Sequence, residues 1–509
     1  MVKRTISVIL ICVATVLLYA GAQPAAVNTD TEKIVHLLNR AGYGPRPGDV
    51  EKVRQTGIAK YIEEQLRPEY IADFQIGSRL ALYDTLSLEP AAIKTRYQRD
   101  PRPVVEQLQG QKIIRAIYSE RQLQEVMTDF WFNHFNVNWS KDGVQFVATS
   151  YEKDAIRPRA MGKFKDLLHA TAKHPAMLVY LDNAMSSVKG INENYARELL
   201  ELHTMGVDGG YLQKDVEAVA RAFTGWTVDA SGLAFEFRQD MHVPGQKTLL
   251  EQTIPVGGIE EGQAVLDMLT RHPSTARFIA TKLTRRFVSD NPPDALVDRV
   301  ARVFTDTDGD IRAMVRTILT SPEFSAPAAI RAKAKSPFEA VVSAVRAIDA
   351  VLLDSIDSQS AQGAMRGLPA GDIVLTKAGG ARIRVSPAII LTRVIQDMGQ
   401  FSYQVPEPTG HPDRSDYWMA GWNVFNRTKF AVSLVNNEVV GTTVDANRLA
   451  LVFKGNPTGD DAWKTALSEV LSPTAAQATT KSPGSAAEPT NEVGNAFALA
   501  LGSPQFQQK

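Results

Sequence analysis

The chain is expected to be mainly α-helical, a large multi-helix domain in two helical halves with one small β-hairpin inserted. Three observations point there. Apolar residues recur at helical spacing, several of these runs carry their own capping residues, and strand-like alternation occurs once. In Thr29-Asp30-Thr31-Glu32 the Thr29 hydroxyl can accept from the backbone three residues on while Glu32 reaches back. Ile34, Leu37, Leu38 and Ala41 follow at helical spacing, and Gly42 ends the run. Ser336-Pro337-Phe338-Glu339 repeats the logic, with Ser336 as cap and Pro337 at the first helical position, ahead of Val341, Val345 and Ile348. The strand signal is Trp226-Thr227-Val228, a turn-like 229–232, then Leu233, Phe235 and Phe237 alternating with smaller or polar residues. It predicts a single hairpin near 226–250.

The phrase Leu-x-Ser-Pro-(Glu/Gln)-Phe occurs at 319–324 and again at 501–506. Each copy closes an apolar run, because the residue before a proline is pushed out of helical geometry. The echo divides the chain into an N-terminal half, 23–325, and a C-terminal half, 326–509, joined around 326–335; the alternative is a common helix-stop phrase. Length alone suggests about three domain-sized units. Residues 473–490, rich in Ala, Thr, Ser and Pro, read as a surface loop without chemistry.

Lys3 and Arg4, an apolar run over 6–18 and the small residues Ala20-Gly21-Ala22 have the order of a secretory signal peptide, residues 1–22. A membrane span needs about 20 apolar residues, so a cleaved signal is favoured over a retained anchor, and no stable span remains after cleavage. Cys12, the single cysteine, lies inside the apolar run behind Ile11, which argues against lipidation. The mature chain then has neither disulfides nor thiolate chemistry, and an exported location, periplasmic or extracellular, follows. With 56 basic and 56 acidic residues, no global field points at nucleic acid or an anionic membrane. Arg285-Arg286 reads as part of a solvated helix face.

Six phrases occur in order: Leu-Leu-Asn-Arg-Ala-Gly-Tyr-Gly-Pro at 37–45, Phe-Trp-Phe-Asn-His-Phe-Asn-Val at 130–137, the run 192–211, Ala-Arg-Ala-Phe-Thr-Gly-Trp at 220–226, His-Val-Pro-Gly-Gln-Lys-Thr at 242–248, and 272–288. Together they resemble the bacterial family known as domain of unknown function 1800, over essentially the whole mature chain. The resemblance implies one family-wide, exported, helical domain of unsettled activity. It also implies, by gene neighbourhood, a partner from the domain of unknown function 1501 family, which looks like the alkaline-phosphatase and sulfatase group. The chain departs from the pattern at 406–412, where His411 stands at a place associated with tryptophan, so no ligand is carried over there.

The run from Asn192 to His203 is expected to be one helix, with Ala196, Leu199, Leu200 and Leu202 forming an apolar arc and His203 near its middle. Glu193, Arg197 and Glu201 stack on the opposite side as an ion-pair ladder, so Glu201 and His203 diverge and make a poor metal pair. In a second helix Leu123, Met127, Phe130 and His134 again put a histidine on the inward stripe, flanked by Asp129 and Asn133. His242 follows the hairpin, with Asp240 and Lys247 close by. If the three imidazoles converge, His134, His203 and His242 are ligands for a divalent metal or proton carriers, and Lys247 stabilises an anion. The chemistry would be metal-assisted or general acid–base hydrolysis. Against this, a lone inward histidine is usually a hydrogen-bonded core residue, and no short-spaced pair such as H-E-x-x-H occurs.

Other motifs are weaker. Ser186-x-x-Lys189 lacks the Lys-Thr-Gly that accompanies it in penicillin-binding enzymes. Residues 306–310 open like a calcium loop but continue with Ile311 and Thr317 where glycine and glutamate are required, which favours helix capping. Tyr403, Tyr417, Trp418, Trp422 and Phe425 suit either a glycan or peptide groove or, at helical spacing, internal packing. Two functional classes remain: an exported protein of uncharacterised activity with a histidine-centred ligand, metal or hydrolytic site, and a non-catalytic envelope protein that docks a partner.

Overall fold

A computed structural model of the chain describes residues 30–354, 356–357, 384–445 and 497–509; the signal-like 1–22, Cys12, Thr29 and the stretch 473–490, expected as a surface loop, fall outside these. Among the described residues the protein is mainly α-helical, with strands confined to short two-stranded pairings. One contiguous apolar cluster runs from Ile34 to Phe506 and draws on both sides of residue 325. Helix packs on helix because each carries an apolar stripe that must leave water. No described helix is long and apolar enough to cross a membrane.

The first helix, Asp30–Arg40, buries Ile34, Leu37 and Leu38 as the spacing predicts. Its last residue, Arg40, is buried and donates to the carbonyls of Val288 and Ala329, each at 3.0 Å, tying the chain start to distant segments. The expected capping box at Ser336 is present: its hydroxyl accepts from the Glu339 amide at 3.2 Å, and the Glu339 carboxylate accepts from the Ser336 amide at 2.9 Å. It opens the helix Pro337–Ala347. Both Leu-x-Ser-Pro phrases use their serine in one way. Ser321 accepts from the Phe324 amide at 3.1 Å and Ser503 from the Phe506 amide at 3.2 Å, and both phenylalanines are buried.

Two sequence expectations need correction. The hairpin Trp226–Val228 with Phe235–Phe237 is there, but a second follows at once, Lys247–Leu249 with Gln252–Ile254. Its turn residues Leu250 (φ 49°) and Glu251 (φ 61°) are left-handed without being Gly, Asn or Asp, so the usual turn signal is missing. The run after Asn192 is not one α-helix. The α-helix Asn194–Glu198 widens into a π-helix, Leu199–Thr204, in which the Thr204 hydroxyl donates to the Leu199 carbonyl at 2.6 Å. The widened turn breaks the ladder: Arg197 meets Glu193 at 3.2 Å and then Gln213 at 3.0 Å rather than Glu201. His203 nonetheless points inward and is buried.

Candidate functional site

The helix Gln122–His134 ends on His134, and its last turn does two jobs. The His134 Nε2–H donates to the His203 carbonyl at 3.1 Å, with the two rings 6.1 Å apart. This bond fixes the tautomer and leaves Nδ1 as a lone pair, which is buried and has no partner. The neighbouring Asn133 clamps the segment 401–414, donating to the His411 carbonyl and accepting from the His411 amide, each at 2.8 Å. Asn136 adds bonds to the carbonyls of Val405 (3.1 Å) and Glu407 (2.9 Å). The approach is so close that a Cβ on Gly410 (φ 67°) would overlap the Asn133 carbonyl, so only glycine fits.

Between this helix end, the 401–414 strap, the helix Pro273–Phe287 and the start of the Glu339 helix lies a cavity of about 280 Å³. That is the lower end for small-molecule sites, which run from roughly 300 Å³ upward. His134 and His411 both line it. The His411 ring bonds the Phe401 main chain, and its Nε2 is buried without a partner. Each imidazole is therefore anchored through one nitrogen and leaves the other free. Burial holds both below the usual histidine range: His134 well below it, with the charge of Lys282 adding, and His411 at about 4, with Lys112 adding. At neutral pH both are uncharged bases.

The charges around the cavity are unequally matched. Lys112 pairs with Asp129, Glu339 with Arg286 (2.7 Å) and Lys509, and Asp413 with Lys333 (3.0 Å). Burial alone would raise the Asp413 carboxyl, but Lys333, Arg286 and Lys509 outweigh it and keep it ionised. Every carboxylate lining the cavity thus has a cation. Lys282 and Arg285 do not have a carboxylate: among the described residues neither forms an ion pair. Arg285 donates only to the Asp290 carbonyl at 3.1 Å, and the half-buried Lys282 ammonium lies 5.5 Å from the Phe278 ring. Burial, partly offset by Asp413, brings Lys282 down to about 8.

The three histidines nominated by the sequence do not form one set. His203 sits beside His134, its ring held at about 3 by burial, and its carbonyl orients the His134 ring, but it does not line the cavity. His242 belongs to a different cluster. Its Nδ1–H donates to the Thr224 carbonyl at 2.8 Å and its Nε2 lies 3.3 Å from Glu261. Lys247 is in contact with the same Glu261 and donates to the carbonyls of Val243 (2.7 Å) and Gly245 (3.0 Å), so its ammonium is saturated and cannot serve an anion. Asp240 pairs with Arg238 at the surface instead. Among the described residues no group of three or more His, Cys, Asp or Glu is arranged to hold a metal ion, so the expected triple of His134, His203 and His242 is not a metal site.

Arg285-Arg286 is also corrected: Arg286 is buried on Glu339, and both arginines line the cavity. Sequence reasoning missed Lys282, although Lys282, Arg285 and Arg286 stand at i, i+3, i+4, the spacing of one helix face. It singled out His411 only as a departure and read Asn133 only as a flanking residue. The minor motifs resolve structurally. Asp310 caps the helix Ile311–Leu319 by accepting from the Ala313 amide at 2.9 Å. Ser186 is buried, accepting from the Asn192 amide at 3.0 Å, while Lys189 is exposed. Tyr403 and Trp418 pack inside, whereas Tyr417, Trp422 and Phe425 are exposed, the last two stacked at 5.6 Å.

No curated protein and no solved structure matches the chain. A family model described as a protein of unknown function (DUF1800) matches residues 36–508, nearly the whole length and all six phrases noted above. The chain belongs to the DUF1800 family of proteins of unknown function.

Proposed function

We propose that this is an exported protein whose cavity binds a small ligand and equips it for general-base hydrolysis. In this reading His134 and His411 are the candidate bases and Lys282 stabilises negative charge. The observation that carries it is the presence, in one cavity, of two anchored neutral imidazoles, each with an unpartnered nitrogen, beside an unpaired ammonium. A neutral imidazole takes a proton from water as the water oxygen attacks the ester centre. The bond to the leaving oxygen breaks, and that oxygen recovers the proton from the imidazolium. Lys282 faces the charge that accumulates on the attacked group. Export is supported by the order of charged, apolar and small residues over 1–22.

Two experiments test this. Amino-terminal sequencing of the protein recovered outside the cytoplasm is expected to begin after Ala22; recovery only from the cytoplasm contradicts export. A panel of p-nitrophenyl phosphate, sulfate and carboxylate esters is expected to reveal turnover that falls at least about a hundredfold in His411→Asn, the low end of acid–base contributions. The rate should decline below pH about 4, where His411 takes a proton, and above pH about 8, where Lys282 loses one. Unchanged turnover in His411→Asn, or no turnover of any ester, overturns the hydrolytic reading. A stable protein complex recovered from the envelope with no ligand in the cavity would favour the docking role instead.

A further inference from the structure

We propose that the ligand of this cavity is a small hydroxylated oxyanion, its phosphate, sulfate or carboxylate group seated on Lys282 and Arg285 and its hydroxyls on His134, His411 and Asp413. The inference rests on the same cavity as the functional reading above, but it concerns what binds rather than what reacts.

The argument is one of unmatched hydrogen-bonding groups. Polar groups withdrawn from water are costly unless paired, and charged ones more so. Around this cavity the unmatched groups fall into two classes. Lys282 and Arg285 are donors only, carry positive charge and have no carboxylate partner among the described residues. They sit at i, i+3 on the helix Pro273–Phe287, so they form one wall. The other class is made of acceptors. The His134 Nδ1, the His411 Nε2 and the Asp413 Oδ2 are all buried without a partner. The histidine tautomers are fixed by main-chain carbonyls, so neither nitrogen can switch to donating while its anchor holds. Asp413 is already bonded through its other oxygen to Lys333.

A ligand that satisfies both classes must present an anionic acceptor to the lysine–arginine wall and hydroxyl donors to the opposite one. An anion without a hydroxyl, such as sulfate, satisfies the first wall only. A neutral polyol satisfies the second only. A volume of about 280 Å³ suits a small molecule, and the 401–414 strap supplies both His411 and Asp413, so the hydroxyl wall is carried by a segment held in place by Asn133 and Asn136. The groups facing Lys282 are Asp413 from the strap, Arg285 on its own helix, and His134 and His203 from across the core.

The test is calorimetric titration of the full chain at pH 6.5 and constant ionic strength with glycerol 3-phosphate, glycerate, sulfate and glycerol. The hydroxylated anions are expected to bind at least about tenfold more tightly than sulfate, and sulfate more tightly than glycerol; the phosphate and carboxylate arms identify which oxyanion is preferred. Lys282→Met should weaken every anion at least about tenfold, Lys282→Arg should restore most of the loss, and Asp413→Asn should weaken glycerol 3-phosphate and glycerate but not sulfate. Sulfate keeps its charge across the range, so its affinity should fall between pH 7 and 9.5 as Lys282 deprotonates. Lys214→Met, at an exposed pair with Glu251, serves as the control with unchanged binding. If Lys282→Met does not fold, Arg285→Gln reads the same wall. Equal anion affinity in wild type and the wall variants, or glycerol binding as tightly as its phosphate, overturns the proposal. Anion binding without ester turnover removes only the hydrolytic reading; turnover with no preference for anions removes only this one.

Discussion

Two regions of this protein withdraw a histidine, a lysine and a carboxylate from water, and they do so to opposite ends. Around His242, the Lys247 ammonium is matched by Glu261 and two carbonyls, and the side chains of all three residues are at most 1% exposed. Around His134, the lysine has no carboxylate and both imidazoles keep a free lone pair, as the His242 Nε2 also does, but here lysine and imidazoles line one cavity, which His242 does not. The first arrangement is a clasp that pins the second hairpin to the helix Ile259–Arg271. The difference teaches that residue types alone do not make a site. Unmatched groups together with open volume do.

Substitutions should separate the two regions by size of effect. Lys247→Met leaves the buried Glu261 with only His242 and the Gly257 amide, and denaturant unfolding should show a loss of about 3–5 kcal/mol, the cost of breaking a buried pair. A loss below 1 kcal/mol would mean that the clasp is not structural. Gly410→Ala places a side chain at a left-handed position against the Asn133 carbonyl and should destabilise by about 1–3 kcal/mol, with faster proteolysis confined to the strap. Ser336→Ala removes a helix cap at the cavity rim and should cost about 1 kcal/mol in the same assay.

Lys282→Met alone should cost no stability and should raise it at pH 7, because it removes a charge that burial disfavours and leaves no partner behind. Its pH signature is more telling. Lys282 is held at about 8 in the folded protein against 10.5 ordinarily, so between these values the unfolded chain binds the extra proton. Wild-type stability should therefore rise with pH across that window relative to Lys282→Met, and saturating sulfate should flatten the difference. A difference curve that is flat without anion would place Lys282 in water.

Much of the fold was legible because its signals are local. Helical spacing around Ile34 and Leu37 and the Ser336–Glu339 box each involve residues within one or two turns, and all are present. The inward turn of His134 and His203 was legible for the same reason. What joins them to a site was not. Lys282, His411 and Asp413 are brought to His134 by contacts across more than a hundred residues, and no spacing rule reaches that far. Lys247 misled because a lysine near a histidine in sequence says nothing about Glu261, which arrives from the next helix. The π turn at Leu199–Thr204 and the left-handed Leu250-Glu251 turn escaped because ordinary residues adopt them under tertiary packing.

The most direct discrimination between the two regions is a nitrogen-15 spectrum of the histidine side chains, recorded while glycerol 3-phosphate is added. The ring signals of His134 and His411 are expected to move together and saturably as their free nitrogens gain a donor, while those of His242 stay fixed. Movement of His242 with His134 and His411 unmoved would put the ligand in the clasp and contradict the assignment of the cavity.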